Sequence, residues 1–193
     1  MRAIILLATV LIWLVGSEAY GQGLRKQLPS EPKASLQTLM AKRSSVIVKG
    51  SSKIGSIVGR YGSKISIMAM ESADSPTGTK KLGIRIIVRG VGKYETEAGS
   101  YIDFHEIDAL IEGIDLLKKK AKGGITKPSG FESTYRTSSG LTVTVFNTKE
   151  GNMIAISSGR IKKTTAYGTW SNLEDFRNLI VEARQRLIEL KKE

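Results

Sequence analysis

The 193-residue sequence contains no cysteine and a single histidine, His105. The lack of cysteine excludes disulfides, thiolate zinc sites, cysteine nucleophiles and a lipoprotein-type lipid anchor. One histidine cannot build a histidine-rich metal site, and we predict a surface position for it. Aromatic residues are also scarce, at 6% of the chain, so side chains on which nucleic-acid bases stack are few. We predict that the protein holds no cofactor and no metal.

Negative charge is in short supply as well. The chain has 30 lysines and arginines against 18 acidic residues, a formal net charge of +12. Such a surplus favours binding to anions, whether nucleic acid, anionic lipid, cell-wall polymers or acidic proteins. The alternative is that the charge serves solubility alone.

The longest apolar run is confined to the N-terminus. One positive charge at Arg2 precedes the stretch 3–15, which is apolar except for one threonine, and small residues precede a cut after Ala19 or Gly21. This layout is typical of a secretory signal peptide over residues 1–19, and the run is short for a membrane-spanning helix. We predict an exported protein, periplasmic or extracellular after cleavage. An uncleaved N-terminal anchor is the alternative.

The remaining chain divides into a flexible N-terminal segment (20–44, with a short amphipathic turn near 34–40) and two units joined by a linker at 123–130. The first unit, 45–122, has β-branched runs at 46–48, 54–61, 64–71 and 82–89. A turn at 90–92 then leads into a further predicted strand that ends near residue 100. A capping box, Asp103-x-x-Glu106, then predicts the start of an amphipathic helix that ends at the lysine run before Gly123.

The second unit, 131–193, repeats this order. Its predicted strands are 131–137, 141–148, 153–157 and 160–167, and its helix begins at Ser171 or Asn172. A shift of 69 residues places Gly90 on Gly159 and Leu110 on Leu179, and a shift of 78 places Gly62 on Gly140. We predict an α+β protein of two pseudo-repeated ββββα units with antiparallel four-stranded sheets. Each helix is expected to cover the apolar face of its own sheet.

The order of elements over roughly 45–190 resembles the tandem ββββα arrangement of Whirly-type and Pur-type single-strand nucleic-acid binders. This resemblance implies single-stranded nucleic-acid binding as an alternative function. It rests on element order and on no shared motif, so no residue role is carried over.

The most informative candidate site is a basic stripe on the outer face of the first sheet. Alternation along the strands places Arg85 and Arg89 on one side, joined by Lys64 and Lys93. The counterparts predicted in the second unit are Arg136, Arg160, Lys162 and Lys163. We therefore predict an exported, non-catalytic binding protein whose basic sheet face meets an anionic polymer, a membrane surface or a protein partner.

Two further patterns offer chemistry. Glu95 and Glu97 alternate along one strand near Asp103 and Glu106, and paired carboxylates can support hydrolysis. Helix capping and solvation explain these residues more simply, so a hydrolase is the second alternative. The glycines of segment 55–64 resemble a phosphate-binding loop or the GxxG of KH domains, but no helix is predicted to follow. We predict a plain turn there.

Overall fold

The computed structural model describes residues 33–90, 96–122, 130–149, 151–160 and 162–192. The predicted signal segment 1–19, Lys93, Glu95 and the linker up to residue 129 lie outside the described residues. None of the helices in the described part of the chain combines the length and apolarity that a bilayer span requires.

The short helix α1 (Ser35–Met40) precedes the first unit, which forms one antiparallel sheet in the order β1-β2-β3-β4. A 3₁₀ turn, Arg60–Gly62, joins its first two strands, and a second, Phe104–Glu106, leads into the helix. The strands and helix are β1 (Ile47–Val58), β2 (Lys64–Asp74), β3 (Thr79–Gly90), β4 (Thr96–Asp103) and α2 (Ile107–Lys122).

The second unit repeats the plan, with sheet order β5-β6-β7-β8. Its elements are β5 (Glu132–Arg136), β6 (Thr142–Thr148), β7 (Gly151–Ser158), β8 (Thr164–Thr169) and α3 (Trp170–Leu190). The predicted α+β fold of two ββββα units is confirmed. Gly62 and Gly140 both adopt positive φ, 76° and 87°, two residues before β2 and β6, as a tight turn into each strand requires.

Several local predictions need correction. The runs at 46–48 and 54–61 belong to one strand, β1, whose pairing with β2 shifts by a bulge between Lys53 and Gly55. Helix α3 begins at Trp170, earlier than predicted, because Thr169 is its N-cap and forms a capping box with Asn172. The turn predicted at 34–40 is the helix α1, which packs against the first sheet.

Asp103 does not cap the helix that follows it. Its carboxylate accepts hydrogen bonds from the backbone N–H groups of Ser35 (2.6 Å) and Leu36 (2.9 Å). These are two of the donors that the first turn of a helix leaves without an internal partner. Asp103 therefore anchors α1, whose Leu36 is fully buried.

The two helices are exchanged between the sheets. Helix α3 packs chiefly on β1 and β2, whereas α2 packs on β5 and β6. A Cβ on Gly55 of β1 would lie 2.6 Å from Cδ2 of Leu179, and a Cβ on Gly113 of α2 would collide with the ring of Tyr135 in β5. The expectation that each helix covers its own sheet is therefore wrong. The units share one continuous core.

Ion pairs between the helices reveal a pseudo-twofold relation. Lys118 of α2 pairs with Glu174 of α3, and Arg184 of α3 pairs with Asp108 of α2. These positions correspond at a spacing of 66 residues (108 to 174, and 118 to 184).

The buried residues of the two helices follow the same spacing. Leu110 corresponds to Phe176 and Ile114 to Ile180, and all four are fully buried. The predicted match of Leu110 with Leu179 is therefore wrong, because the helices align at a shift of 66 rather than 69.

Candidate functional site: the outer faces of the two sheets

Each sheet has an inner face in the shared core and an outer face on the opposite side. In the first sheet, α1 covers the end of the outer face where β2 meets β3, burying Met70, Ser72 and Asp74. Asp74 is 1% exposed and accepts hydrogen bonds from Lys42, Ser45 and Thr77. The carboxylate thus ties the segment after α1 to the sheet. These hydrogen bonds lower the pKa of Asp74 from 3.8 to about 2.

The other end of this outer face is open, and its residues are exposed or half-buried. Strand pairing arranges them in three rows from β1 to β4. The rows are Lys53–Met68–Arg85–Tyr101, Ser56–Ser66–Ile87–Gly99 and Val58–Lys64–Arg89–Glu97. We call these twelve residues the basic face. The basic face thus has four cationic side chains, on three adjacent strands, and one carboxylate.

Arg85 lies near the centre of the basic face. Its guanidinium stacks on the ring of Tyr101, with Cζ 5.6 Å from the ring centroid. The side chain runs along the sheet beside Gly99, where a Cβ would lie 3.4 Å from Nε of Arg85. That Nε is buried and has no hydrogen-bond partner among the described residues. A buried donor without an acceptor is energetically costly.

Arg89 occupies the last row. Its Nη2 lies 2.8 Å from Oε2 of Glu97 on the neighbouring strand, and both side chains are about half exposed. Such a cross-strand pair orders the guanidinium but contributes little stability in water. Lys64, beside it on β2, completes the predicted grouping of Lys64, Arg85 and Arg89. Lys53 belongs to the same face, and sequence reasoning missed it because the bulge in β1 hides its register.

The outer face of the second sheet has a different chemistry. Its rows are Glu132–Phe146–Met153–Thr169, Thr134–Thr144–Ala155–Tyr167 and Arg136–Thr142–Ser157–Thr165. Hydroxyl groups dominate, and two neighbouring pairs hydrogen-bond to each other: Thr134 with Thr144, and Ser157 with Thr165. Arg136 is the only cation on the described strands of this face.

The predicted basic counterparts in the second unit therefore do not form a stripe on the sheet. Arg160, Lys162 and Lys163 lie in the connection between β7 and β8, where Arg160 donates to the carbonyl of Ser138. Arg136 lies at the same end of the sheet, on the edge strand. The equivalent of Lys64 is Thr142, because each begins its strand two residues after a positive-φ glycine.

A pocket lies where the first unit overhangs the second sheet. Its volume is about 570 Å³. One wall is the β1–β2 turn, and the other is formed by outer-face residues of β6, β7 and β8 and by the β6–β7 turn. The lining residues are Arg60, Tyr61, Phe146, Thr148, Lys149, Met153 and Tyr167. No sequence pattern singled out this group, because its members come from four separate segments of the chain.

The acidic residues considered for hydrolysis do not converge among the described residues. Glu97 pairs with Arg89, Asp103 holds α1, and Glu106 accepts a hydrogen bond from Ser138. His105 is exposed, as predicted. Within the described ranges, no group of three or more acidic or histidine side chains is placed to hold a metal ion. The glycine-rich segment forms a turn followed by β2, also as predicted.

Neither a family model, nor a curated protein, nor a solved structure gives a match to this chain. The likeness to Whirly-type and Pur-type proteins thus remains one of element order.

Proposed function

We propose that the protein is a non-catalytic binding protein that holds an anionic polymer on the basic face of its first sheet. The observation that carries this proposal is the cluster of Lys53, Lys64, Arg85 and Arg89 on neighbouring strands of one open surface. Adjacent strands lie about 4.8 Å apart, so the cations form a two-dimensional array rather than a single contact. A polymer with repeated sulfate, phosphate or carboxylate groups engages several of them at once.

The array favours a polymer without bases. Single-strand nucleic-acid binders interleave exposed rings with cations so that bases can stack. The basic face carries one ring, Tyr101, so stacking positions do not alternate with its cations. The middle row of the basic face contains only small or aliphatic residues: Ser56, Ser66, Ile87 and Gly99. Charge and hydrogen bonding, rather than stacking, are what this surface offers. The predicted export of the chain would place it among extracytoplasmic polymers.

The test is a salt-dependent binding measurement with dextran sulfate as the probe. We expect the affinity of the natural sequence to fall steeply with salt, because each anion–cation contact releases counterions. The double variant Lys64→Ala, Arg85→Ala should bind about tenfold more weakly and with a shallower salt slope. The matched control is Lys119→Ala, Lys120→Ala, which removes the same charge from the exposed side of α2. It should stay within about twofold.

Equal weakening in both double variants would mean that total charge, not the basic face, sets the affinity, and the proposal would fail. Two competitors decide the class of partner. Oligo-dT displacing dextran sulfate at far lower concentration would replace the proposal with nucleic-acid binding. Preferential capture by phosphatidylglycerol vesicles would replace it with membrane binding.

A further inference from the structure

We infer that the pocket beneath the β1–β2 turn is a second binding site, specific for a small planar organic anion. It is independent of the basic face, because it opens on the outer face of the second sheet. We call its seven lining residues, given above, the turn pocket. Its volume of about 570 Å³ falls within the range typical of small-molecule sites, roughly 300–1,000 Å³.

The lining chemistry selects the ligand. Three rings, Tyr61, Phe146 and Tyr167, surround the space, and the side chain of Met153, 8% exposed, forms part of its wall. Rings and thioether sulfur favour a flat, polarisable partner. Two cations, Arg60 and Lys149, line the same pocket. The combination suits a conjugated ring system that carries a carboxylate, sulfonate or phosphate.

The position of the arginine supports this assignment. Nη1 of Arg60 lies 3.2 Å from the sulfur of Met153, and its Cζ lies 5.6 Å from the centroid of the Tyr61 ring. The guanidinium therefore lies at the wall of the pocket, in contact with the Met153 sulfur and near the Tyr61 ring. An arginine with a planar fork of donors in such surroundings binds an oxyanion geometrically as well as by charge.

The turn that carries Tyr61 is fixed in place by its backbone. The N–H of Gly59 donates to the carbonyl of Ser63 (2.8 Å), and the Ser63 hydroxyl donates to the carbonyl of Arg60 (2.9 Å). A side chain on Gly59 would collide with the carbonyl oxygen of Tyr167, so the turn lies directly on β8. Backbone hydrogen bonds thus hold this wall of the pocket, which lowers the cost of ordering it around a ligand.

Tyr61 is placed against its conformational preference. Its φ of 58° is left-handed, a region that disfavours residues other than glycine, and its side chain is 73% exposed. Because the ring is largely exposed, its burial contributes little free energy to offset the backbone strain. Strain at an exposed ring beside a pocket indicates that the ring serves binding rather than folding.

The experiment uses naphthalene-2-sulfonate as the probe, with binding measured by calorimetry and by amide chemical shifts of Tyr61, Gly62 and Tyr167. We expect saturable binding with shifts at those three amides. The neutral naphthalene-2-sulfonamide and the saturated cyclohexanesulfonate should each bind at least about fivefold more weakly, since each lacks one half of the recognition.

Tyr61→Gly provides the most discriminating variant. Glycine tolerates the left-handed conformation, so this variant should unfold at a higher temperature than the natural sequence while binding the probe more weakly. Phe146→Ala should weaken binding by about tenfold and Phe146→Tyr should retain it, since the ring is kept. Lys149→Met should weaken it, whereas the matched control Lys119→Met on α2 should not.

Three results would overturn the inference: no saturable binding of the sulfonate, equal binding of cyclohexanesulfonate, or unchanged affinity in folded Tyr61→Gly and Phe146→Ala. Failure here leaves the polymer proposal intact, because none of these variants alters the basic face. Loss of dextran sulfate binding in the Lys64→Ala, Arg85→Ala variant leaves this inference equally intact.

Discussion

The two sheets share one pairing plan but present opposite chemistry to their surroundings. Across the last row of the first sheet, Lys64, Arg89 and Glu97 are all charged. In the matching row of the second sheet, the neighbours are Thr142, Ser157 and Thr165, all hydroxyl-bearing. The inner faces must stay apolar to form the shared core, whereas the outer faces are free to differ. The two units therefore share a scaffold and differ in the side chains that their outer faces expose.

The helix contacts show the same divergence inside the core. Where α2 meets β5, the helix supplies Gly113 and the strand supplies the large ring of Tyr135. Where α3 meets β1, the helix supplies Leu179 and the strand supplies Gly55. Gly113 and Leu179 are equivalent at the 66-residue spacing of the helices. In each contact a glycine accommodates a large side chain, and the glycine lies on the helix in one case and on the strand in the other.

The largest expected effect comes from deleting equivalent core side chains in the two helices. Phe176→Ala should lower the free energy of unfolding by about 4 kcal/mol and Leu110→Ala by about 3 kcal/mol. Because each helix covers the sheet of the other unit, both variants should still unfold in one transition. Urea titration followed by circular dichroism and by Trp170 fluorescence measures this. Two separate transitions in either variant would show that the units are independent, contrary to the exchanged helices.

A smaller effect should distinguish the two glycine contacts. Gly113→Ala should cost about 1–2 kcal/mol, because the new methyl meets a packed ring and the gain in helix propensity offsets only part of the strain. Gly55→Ala should cost less than about 1 kcal/mol, because it meets the end of the flexible Leu179 side chain. Adding Tyr135→Leu to Gly113→Ala should restore stability. Equal costs at both glycines would remove the proposed inversion of large and small residues.

The described part of the N-terminal segment, from residue 33, packs on the first sheet, where Asp74 accepts hydrogen bonds from Lys42 and Ser45. Asp74→Asn should lower the thermal midpoint by a few degrees and expose amides of residues 42–46 to hydrogen exchange. The folded-state pKa of about 2 lies below the ordinary 3.8. The stabilisation is therefore present above pH 3.8 and is lost as the pH falls towards 2. A stability profile between pH 5 and pH 2 that is identical in the variant would contradict this role.

The smallest effect concerns the ion pairs between the helices. Arg177 donates two hydrogen bonds, of 2.6 and 2.8 Å, to the carboxylate of Asp115, and this contact lowers the pKa of Asp115. A double-mutant cycle on this pair should give a coupling of about 0.5 kcal/mol, since both side chains are partly exposed and screened by solvent. The coupling should disappear as the pH falls below the usual carboxyl pKa. The more exposed pair of Arg184 with Asp108 should couple less. The reverse order would mean that the two pairs are not ranked by exposure.

Much of the fold follows from patterns that the sequence displays locally. Alternation in 64–71 and 82–89 predicts β2 and β3, and the glycines before β2 and β6 predict the equivalence of those strands. The amphipathic stripe of α3 predicts which of its residues are buried. It does not reveal which sheet buries them, because the pattern is the same under either sheet.

Most of the misplaced features depend on contacts between distant parts of the chain. Asp103 fits a local capping box, yet its carboxylate binds backbone groups 67 and 68 residues earlier. The turn pocket joins Tyr61 to Phe146 and Tyr167, which share no sequence pattern. Lys53 was missed for a local reason, since the bulge beside it reverses the alternation of β1. The outer face of the first sheet was predictable in part, and the pocket was not predictable at all.

The most direct test of the account is to observe both outer faces while dextran sulfate is added. The Nε–H resonance of Arg85 reports on the basic face, and the amides of Thr144 and Thr165 report on the hydroxyl-rich face. We predict a saturable, salt-sensitive shift of the Arg85 resonance with little change at the two threonines. Equal shifts on both sheets, or shifts confined to the second, would contradict the claim that the two copies of one scaffold have been given different surfaces to bind with.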